Sequence, residues 1–279
     1  MSQDAIAYIT DKYIKLTAVE KRLADYVISH YDESLSLSVQ SLAEKSGVSA
    51  ATVIRFAQQM GFEGYKDLRL FLATNRPEHE DVIVDLKKER GTVETKVSKV
   101  INADIEAMKL TLQNLDFKVL EDVAMAIKQA GQVIFFGTGT SFLVCNDTSL
   151  KIQRLGKISN CYSDLHSLTV AINNMNEKDM LVAISHSGQN KETCKAVEIA
   201  KKCGIKTLAV TTFSESSISG IADYVLLTKT RESPLHKIAI TSRISQFAVM
   251  DALIMAIMVT DYDNCISHIE DLSGKLKLI

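Results

Sequence analysis

Two serines set two positions apart, Ser185 and Ser187, are the residues whose types and spacing most clearly suggest chemistry, and Gly188 and Asn190 follow them at once. They come directly after the apolar run Met180–Ile184, which has the length of a strand, and a helix-like segment begins next. Where a strand ends and a helix begins, backbone N–H groups point outward and the helix dipole favours a negative charge. The two hydroxyls add donors without filling the space that a phosphate needs. The stretch therefore predicts a phosphate-binding loop.

A second glycine- and serine-containing loop follows an earlier apolar run. Gly137, Gly139 and Ser141 come after Gln132–Phe136 and lead into a helical pattern. A dinucleotide-binding fingerprint is the alternative interpretation, but Leu143-Val144 stands where its third glycine belongs. An acidic residue for the ribose is also missing at the end of the second predicted strand, unless Asp164 serves.

The elements that position both loops alternate in type along the chain. The predicted strands are Gln132–Phe136, Ile158–Tyr162, Met180–Ile184, Thr207–Thr211 and Tyr224–Leu227, with helical stretches between them. This order predicts an α/β fold, a doubly wound five-stranded parallel sheet with helices on both faces. Ligands in such sheets bind beyond the carboxyl ends of the strands, where both loops are expected.

The first 76 residues carry a different, all-helical pattern. Thr17 and Glu20 form a capping-box pattern that predicts a helix from about Thr17 to Tyr31. Ser38 and Ser49 are candidate N-caps of two short helices, and Gly47 lies between them, where a tight turn needs positive φ. This is the pattern of a helix-turn-helix unit, and a further helix is expected after Gly64.

The exposed face predicted for the second of these helices suits a DNA groove. It carries Ser49, Ala50, Thr52, Arg55 and Gln59, which combine small residues at the helix start with groups that can bond bases or phosphates. Two short helices around a glycine also occur in protein-binding bundles. Net charge does not decide between DNA binding and protein binding, because residues 1–76 hold nine Lys/Arg and nine Asp/Glu. A neutral unit is expected to bind DNA as a dimer or higher oligomer that contacts two half-sites.

Composition limits the remaining possibilities. A chain of 279 residues with a net charge of −2 is expected to form two domains and to have no general attraction for nucleic acids or membranes. The five cysteines lack the spacing of a metal site or a disulfide framework, so no metal or cofactor is expected. The N-terminus does not resemble a signal peptide, and the uncharged run Ala252–Thr260 is too short to span a bilayer. We expect a soluble, cytoplasmic protein.

Two sets of residues resemble known families. In the N-terminal part, Leu42-Ala43, Gly47-Val48-Ser49, Thr52-Val53, Arg55-Phe56 and Met60-Gly61-Phe62-x-Gly64-Tyr65 resemble the helix-turn-helix domain of RpiR-type bacterial transcriptional regulators. The paired loops resemble the sugar isomerase (SIS) domain, which binds phosphosugars in both isomerases and regulators. The resemblance implies that Ser185, Ser187 and Asn190 hold a phosphate, with Ser141 beside it. Asn190 stands where the family usually has threonine.

The resemblance also assigns the rest of the chain. The implied segments are 1–76 as the DNA-binding domain, 77–116 as a linker with a connecting helix, 117–260 as the SIS domain and 261–279 as a helical tail. Ligand contacts are expected from Gly139, His186, Gly188 and Glu232 as well as from the residues above. Arg243 is considered as a partner of Glu232 or of Asp251.

Two functions follow from these patterns. The first is a regulator of sugar or amino-sugar metabolism that binds double-stranded operator DNA as a homodimer or homotetramer and senses a phosphorylated sugar. The alternative is a phosphosugar isomerase, for which Glu232, His166 and His236 are the candidate acids and bases. The helix-turn-helix pattern favours the regulator, because an isomerase has no use for it.

Overall fold

The computed structural model describes residues 5–75, 92–230 and 241–277 of the chain. They form two compact units that divide within one long helix, between Ala103 and Asp104.

The first unit is a bundle of short helices. Its elements are α1 (Ala5–Lys12), the 3-10 turn Tyr13–Lys15, α2 (Ala18–Ser29), α3 (Tyr31–Ser36), α4 (Val39–Ser46), α5 (Ala50–Gln59) and α6 (Tyr65–Thr74). The predicted capping box is present at α2, since the Glu20 carboxylate accepts from the Thr17 backbone N at 2.9 Å and Thr17 Oγ1 accepts in return. Leu23, Phe56 and Leu72 are buried in the core of this unit.

The helix predicted from Thr17 to Tyr31 is therefore confirmed, although α2 ends at Ser29 and α3 begins at Tyr31. The helix after Gly64 is confirmed as α6. The first helix, α1, was not predicted from the sequence, and its two turns bury Ile6 and Ile9. So short a stretch carries too few apolar positions for its periodicity to stand out.

The long helix α7 (Val93–Asn114) lies in the segment 77–116, where a connecting helix was expected. Thr111 fixes its C-terminal part to the second unit, because its hydroxyl donates to the Lys229 carbonyl at 3.1 Å and accepts from the Lys229 N–H at 3.0 Å. The opposite face exposes a row of apolar side chains, which we call the α7 stripe: Val97, Ile101, Ile105, Met108 and Leu112.

The second unit alternates strands and helices. After α8 (Phe117–Gln129) come β1 (Gln132–Phe136), α9 (Ser141–Arg154), β2 (Ile158–Tyr162), α10 (Leu165–Ile172), β3 (Met180–Ile184), α11 (Lys191–Lys202), β4 (Lys206–Thr211), β5 (Tyr224–Leu227), α12 (Thr241–Thr260) and α13 (Tyr262–Leu276). The strands pair in parallel in the order β2-β1-β3-β4-β5. The predicted doubly wound, five-stranded parallel sheet is confirmed.

Alternating strand residues separate two apolar layers. Val133 and Phe135 pack with α8, α9 and α12 in one cluster, whereas Ile134 and Phe136 pack with α10 and α11 in another. Both faces of the sheet are thus covered, as the uninterrupted apolar runs require.

The helix α12 is apolar over a longer stretch than the run Ala252–Thr260 noted in the sequence. Ser242–Thr260 is long and apolar enough, by length and composition alone, to cross a bilayer, although only 33% of that window is buried. Val249, Leu253 and Ile257 are nevertheless fully packed in the core cluster beside α8 and α9. Core helices of globular domains have this composition too.

Candidate functional site

The sheet order brings the two predicted loops together. The chain leaves β1 for β2 on one side and returns to β3 on the other side of β1, so the connections diverge between β1 and β3. Phe136 pairs with Ala183 in register near the carboxyl ends of these neighbouring strands. The loops 137–140 and 185–190 therefore leave adjacent strands at the switch point, where doubly wound sheets form ligand clefts.

The serines of the second loop accept hydrogen bonds from the loop's own backbone. Ser185 Oγ accepts from the Gly188 N–H at 3.2 Å, and Ser187 Oγ accepts from the Gln189 N–H at 3.2 Å. A hydroxyl has one proton to donate and two lone pairs to accept with. Because each of these two bonds uses a lone pair of the serine oxygen, both hydroxyls keep their protons for a bound acceptor such as a phosphate oxygen.

Gly188 is required by both its conformation and its surroundings. Its φ is 62°, and a Cβ built there would lie 2.2 Å from Ser216 Oγ and 2.8 Å from Thr211 Oγ1. The loop thus lies directly against the end of β4 and the segment after it. Ser216 and Thr211 were not predicted from the sequence, because their proximity follows from the sheet order and from no local pattern.

Asn190 is the N-cap of α11. Its Oδ1 accepts from the Thr193 N–H at 2.9 Å and from the Thr193 hydroxyl at 3.1 Å. With the oxygen held by the cap, the amide nitrogen is left as the group that can face a ligand. The asparagine therefore preserves the helix start that a threonine would give and places two N–H donors beside the loop.

His186 is held from within the protein. Its Nδ1 lies 2.9 Å from Thr212 Oγ1, which in turn lies 2.8 Å from Thr228 Oγ1. Burial lowers the pKa of His186 from 6.5 to about 4, since the charged imidazolium is poorly solvated there. The imidazole is therefore neutral near pH 7 and joins the ends of three strands.

The first loop presents Ser141 at the start of α9. Ser141 is the first residue of the helix and is 8% exposed. Gly139 has a φ of 58°, while Gly137 packs so closely that an added Cβ would lie 2.9 Å from Cys145 Sγ. The side-chain amide of Gln246, on α12, lies 3.4 Å from Ser141 Oγ. Gln246 was not predicted from the sequence, since no local motif contains it.

Other residues named from the sequence have different positions. Asp164, considered as a ribose acceptor, caps α10 by accepting from the Ser167 N–H at 2.8 Å. Asp251 bonds Lys151 at 2.5 Å rather than Arg243, so that predicted pairing is not the one formed. Glu232 and His236 lie outside the described residues, and His166 is exposed on α10. Across residues 5–75, 92–230 and 241–277, no group of three or more His, Cys, Asp or Glu side chains is placed to hold a metal.

The predicted helix-turn-helix geometry is present in the first unit. Gly47 ends α4 with φ 67° and ψ 34°, in the left-handed region. The Val48 N–H bonds the Ala43 carbonyl at 2.9 Å across this turn, and Ser49 Oγ caps α5 by accepting from the Thr52 N–H at 3.1 Å. The turn and both caps agree with the pattern in the sequence.

The face of α5 differs in part from the prediction. Arg55 and Ser49 are exposed and Ala50 is half-buried, as a groove-reading face requires. Thr52 was assigned to this face, but it is buried at 5% exposed and its hydroxyl lies 2.9 Å from Ser49 Oγ. Thr52 lies in the capped first turn of α5, on the side of the helix that faces the bundle.

Gln59 also has a partner within the unit. Gln59 Nε2 donates to the Lys15 carbonyl at 3.3 Å, and in the reversed orientation of its amide it would donate to the two Glu20 carboxylate oxygens at 2.8 and 3.0 Å. In either orientation the end of α5 is joined to the segment around the start of α2. Of the nearby cations, Lys45 pairs with Glu33 and Arg69 contacts the Leu37 carbonyl, whereas Arg55 has no ion-pair partner among the described residues.

The fold and the two sites define a class of protein: a helix-turn-helix unit joined to a SIS domain. Residues 3–77 match the model of the helix-turn-helix domain of the rpiR family, and residues 126–256 match that of the SIS domain. The HTH-type transcriptional regulator YfhH of Escherichia coli is 30% identical over 277 residues, which cover 96% of this chain and 98% of YfhH. The E. coli regulator RpiR is 26% identical, over 90% of this chain and 84% of RpiR. The chain belongs to the RpiR family of HTH-type transcriptional regulators.

Two solved structures share the fold. NanR of Vibrio vulnificus, in complex with ManNAc-6P, matches with a TM-score of 0.63 and 22% identity over 99% of this chain and 100% of NanR. The sugar isomerase domain of an RpiR transcription factor from Sphaerobacter thermophilus matches with a TM-score of 0.59 and 25% identity, covering 64% of this chain and 98% of that one. The likeness extends through both units in the first case and through the α/β unit in the second.

Proposed function

We propose that this protein regulates transcription of genes for sugar or amino-sugar metabolism, and that a phosphorylated sugar bound between the β1 and β3 loops controls its binding to operator DNA. It acts in the cytoplasm as a homodimer or homotetramer. The proposed segments are 1–76 for DNA binding, 77–116 as connector, 117–260 for the sugar phosphate and 261–279 as a helical tail.

One observation carries the ligand assignment: the hydroxyls of three serines at the switch point accept from N–H groups. Ser185 and Ser187 accept from backbone N–H groups, and Ser141 accepts from the Gln246 amide. Their protons therefore point away from these bonds and are available to an anion. With the N-terminus of α11 beside them, the loops offer donors and a favourable dipole to a phosphate.

The remaining ligand contacts are assigned by position. The backbone at Gly139, where nothing lies within 4 Å of an added Cβ, lets a ligand approach closely, Gly188 keeps the loop packed against Ser216, and the Asn190 amide supplies donors at the helix start. His186 supports the loop through Thr212 more than it faces the ligand. Glu232 remains a proposed partner of sugar hydroxyls. That NanR was solved with ManNAc-6P supports a phosphosugar as the ligand class.

For DNA, Ser49, Ala50 and Arg55 form the proposed groove-facing surface of α5. Ser49 and the small Ala50 let the helix start approach closely, and Arg55 supplies the charged fork for a guanine or a phosphate. Thr52 and Gln59 hold α5 in position instead, through Ser49 and the Lys15 carbonyl.

We infer that the ligand is sensed and not converted. The relatives are named as regulators, and His186, the imidazole of the second loop, is tied to Thr212 and neutral. An isomerase needs a base at the sugar C1/C2 and an acid to open the ring.

The test is calorimetry of the full chain with a panel of sugar 6-phosphates, followed by gel shifts on operator DNA with and without the best ligand. We expect a ligand from the panel to bind the native chain, to bind Ser187→Ala at least about tenfold more weakly, and to change the DNA shift. Equal binding by Ser187→Ala would rule out this loop as the site. Turnover of the ligand, lost in Glu232→Gln, would establish the isomerase alternative.

A further inference from the structure

Gln246 is a buried polar residue without a role in the packing of apolar side chains. It lies in the second turn of α12 and is 1% exposed. Its Nε2 lies 3.4 Å from the Oγ of Ser141, which is 105 positions earlier in the chain. A buried glutamine needs partners for its amide, because an unsatisfied buried amide destabilises the fold.

The carbonyl of this amide has no such partner. Gln246 Oε1 is shielded from solvent and accepts no hydrogen bond from the residues that the structure describes. Buried side-chain polar atoms in native proteins are satisfied in the large majority, so an exception indicates a group that binds there. Since Oε1 and Nε2 share one carbon atom, this orphaned acceptor lies next to the start of α9.

The amide also determines what Ser141 can do. When Nε2 donates to Ser141 Oγ, the hydroxyl proton must turn elsewhere, and Ser141 becomes a donor. Ser185 and Ser187 are likewise left as donors, because the Oγ of each already accepts from a backbone N–H at 3.2 Å. Ser141 differs from them because the N–H that its oxygen accepts from belongs to a side chain of the distant helix α12 and not to the loop backbone.

Resting on the proposed function above, we propose that Gln246 is a positioning residue of the phosphosugar site: its N–H directs the Ser141 hydroxyl at the phosphate, and its carbonyl accepts from a hydroxyl or amide N–H of the sugar. The 3.4 Å contact is long for a hydrogen bond, and we expect it to shorten when a phosphate draws the Ser141 proton. Ligands with phosphate but no donor group beside it, inorganic phosphate among them, use only the first of these bonds.

The experiment measures phosphosugar and inorganic phosphate affinity of the full chain by calorimetry between about pH 5.5 and 9, for the native protein, Gln246→Met and Gln246→Glu. Gln246→Met keeps the volume and removes both bonds, so we expect roughly tenfold weaker phosphosugar binding at every pH. The ionised carboxylate of Gln246→Glu can only accept, so it draws the Ser141 proton toward itself and places a charge near the phosphate. We expect a loss of roughly a hundredfold at the highest pH, which recovers toward the Gln246→Met value or better as the carboxyl is protonated at low pH.

Gln153→Glu is the matched control. Gln153 is an exposed glutamine of this unit, and its Nε2 bonds the Ser159 carbonyl at 2.7 Å, near the opposite end of the sheet. A general effect of one added negative charge on this unit would appear in both Glu variants, whereas an effect on affinity is expected only at Gln246. Melting curves at each pH verify that the variants are folded.

Two results overturn the inference while leaving the proposed function intact. One is native-like phosphosugar affinity in folded Gln246→Met, and the other is a loss in Gln246→Glu that has the same size at every pH. If the native chain binds neither inorganic phosphate nor any sugar of the panel, the proposed function itself is wrong, and the role of Gln246 is withdrawn with it.

Discussion

The side-chain oxygen of Asn190 accepts from Thr193 twice, from the backbone N–H at 2.9 Å and from the hydroxyl at 3.1 Å. This pairing separates two tasks in one residue. The oxygen caps the start of α11, and the amide nitrogen remains the donor that we propose for the ligand.

Asn190→Asp tests that separation. Aspartate caps a helix as well as asparagine and suits the positive end of its dipole, so the unfolding temperature should stay the same or rise. Its second oxygen replaces two donors by a negative charge, and phosphosugar affinity measured by calorimetry should fall more than roughly tenfold. Asn190→Thr, which keeps the cap without the charge, should bind within a few-fold of native. Full affinity in Asn190→Asp would contradict a role for the amide.

Gly188→Ala should be far more damaging than the same change at Gly204. Both glycines have positive φ, 62° and 75°, so each substitution costs about 1–2 kcal/mol from the backbone alone. At Gly188 the new Cβ would also meet Ser216 Oγ at 2.2 Å, whereas nothing lies within 4 Å at Gly204. The overpacking adds about 1–3 kcal/mol. Urea unfolding of both variants measures the difference, and equal losses would show that Ser216 moves away freely.

The buried imidazole of His186 should make stability depend on pH. Its pKa in the folded chain is lowered from 6.5 to about 4 by burial, so between these values the unfolded chain binds a proton that the folded chain lacks. The stability is fully present above about pH 6.5 and is lost as the pH falls toward 4, by about 3 kcal/mol in total. His186→Asn, which can still bond Thr212, should flatten this part of the profile in urea unfolding from about pH 8 to 4.5. Identical slopes in both proteins would assign the effect to other groups.

Arg55→Ala should abolish the shift of operator DNA without changing the assembly. Arg55 is exposed on α5 and has no ion-pair partner among the described residues, so its guanidinium is available to a base or a phosphate. Arg55→Lys distinguishes a base contact from a phosphate contact, because lysine can take over a phosphate contact better than a bidentate guanine contact. Lys202→Ala, an exposed charge on α11, serves as control. Persistent operator binding by Arg55→Ala would remove α5 as the reading helix.

The α7 stripe should hold the subunits together. Ile105, Met108 and Leu112 are 40%, 40% and 62% exposed, on the face opposite the buried Ala107 and Thr111. Such a row of exposed apolar side chains on a long helix suits a partner helix. The double variant Ile105→Glu/Leu112→Glu should sediment as a smaller species and bind operator DNA more weakly, while Lys109→Ala should behave as native. An unchanged mass would place the subunit contact elsewhere.

Local signals predicted most of the elements, together with two helix caps and the turn at Gly47. Thr17 with Glu20, Ser49 and Gly47 act within a few residues of chain, so the sequence indicates them directly. The five strands were found from their apolar runs, with β4 beginning one residue earlier, at Lys206.

The errors and omissions concern contacts between distant segments. Thr52 looked like a groove-facing residue on a helical wheel, but packing against the rest of the bundle turns it inward, where it is 5% exposed. Gln59 is exposed, and its amide also has a partner inside the bundle. The support of His186 by Thr212 and of Ser141 by Gln246 depends on which strands and helices become neighbours. The order of elements along the chain does not specify which strands and helices become neighbours.

The sheet order has a consequence for how the protein responds to a ligand. β1 and β3 are interior strands with neighbours on both edges, and nearly all of their residues are buried. Amide hydrogens in such strands exchange with solvent only when the whole domain unfolds. The floor of the cleft is thus a rigid platform, and the slow exchange there should change on ligand binding only by the amount that the ligand stabilises the whole domain. Changes in exchange on binding are expected in the loops after the two strands and in the first turns of α9 and α11.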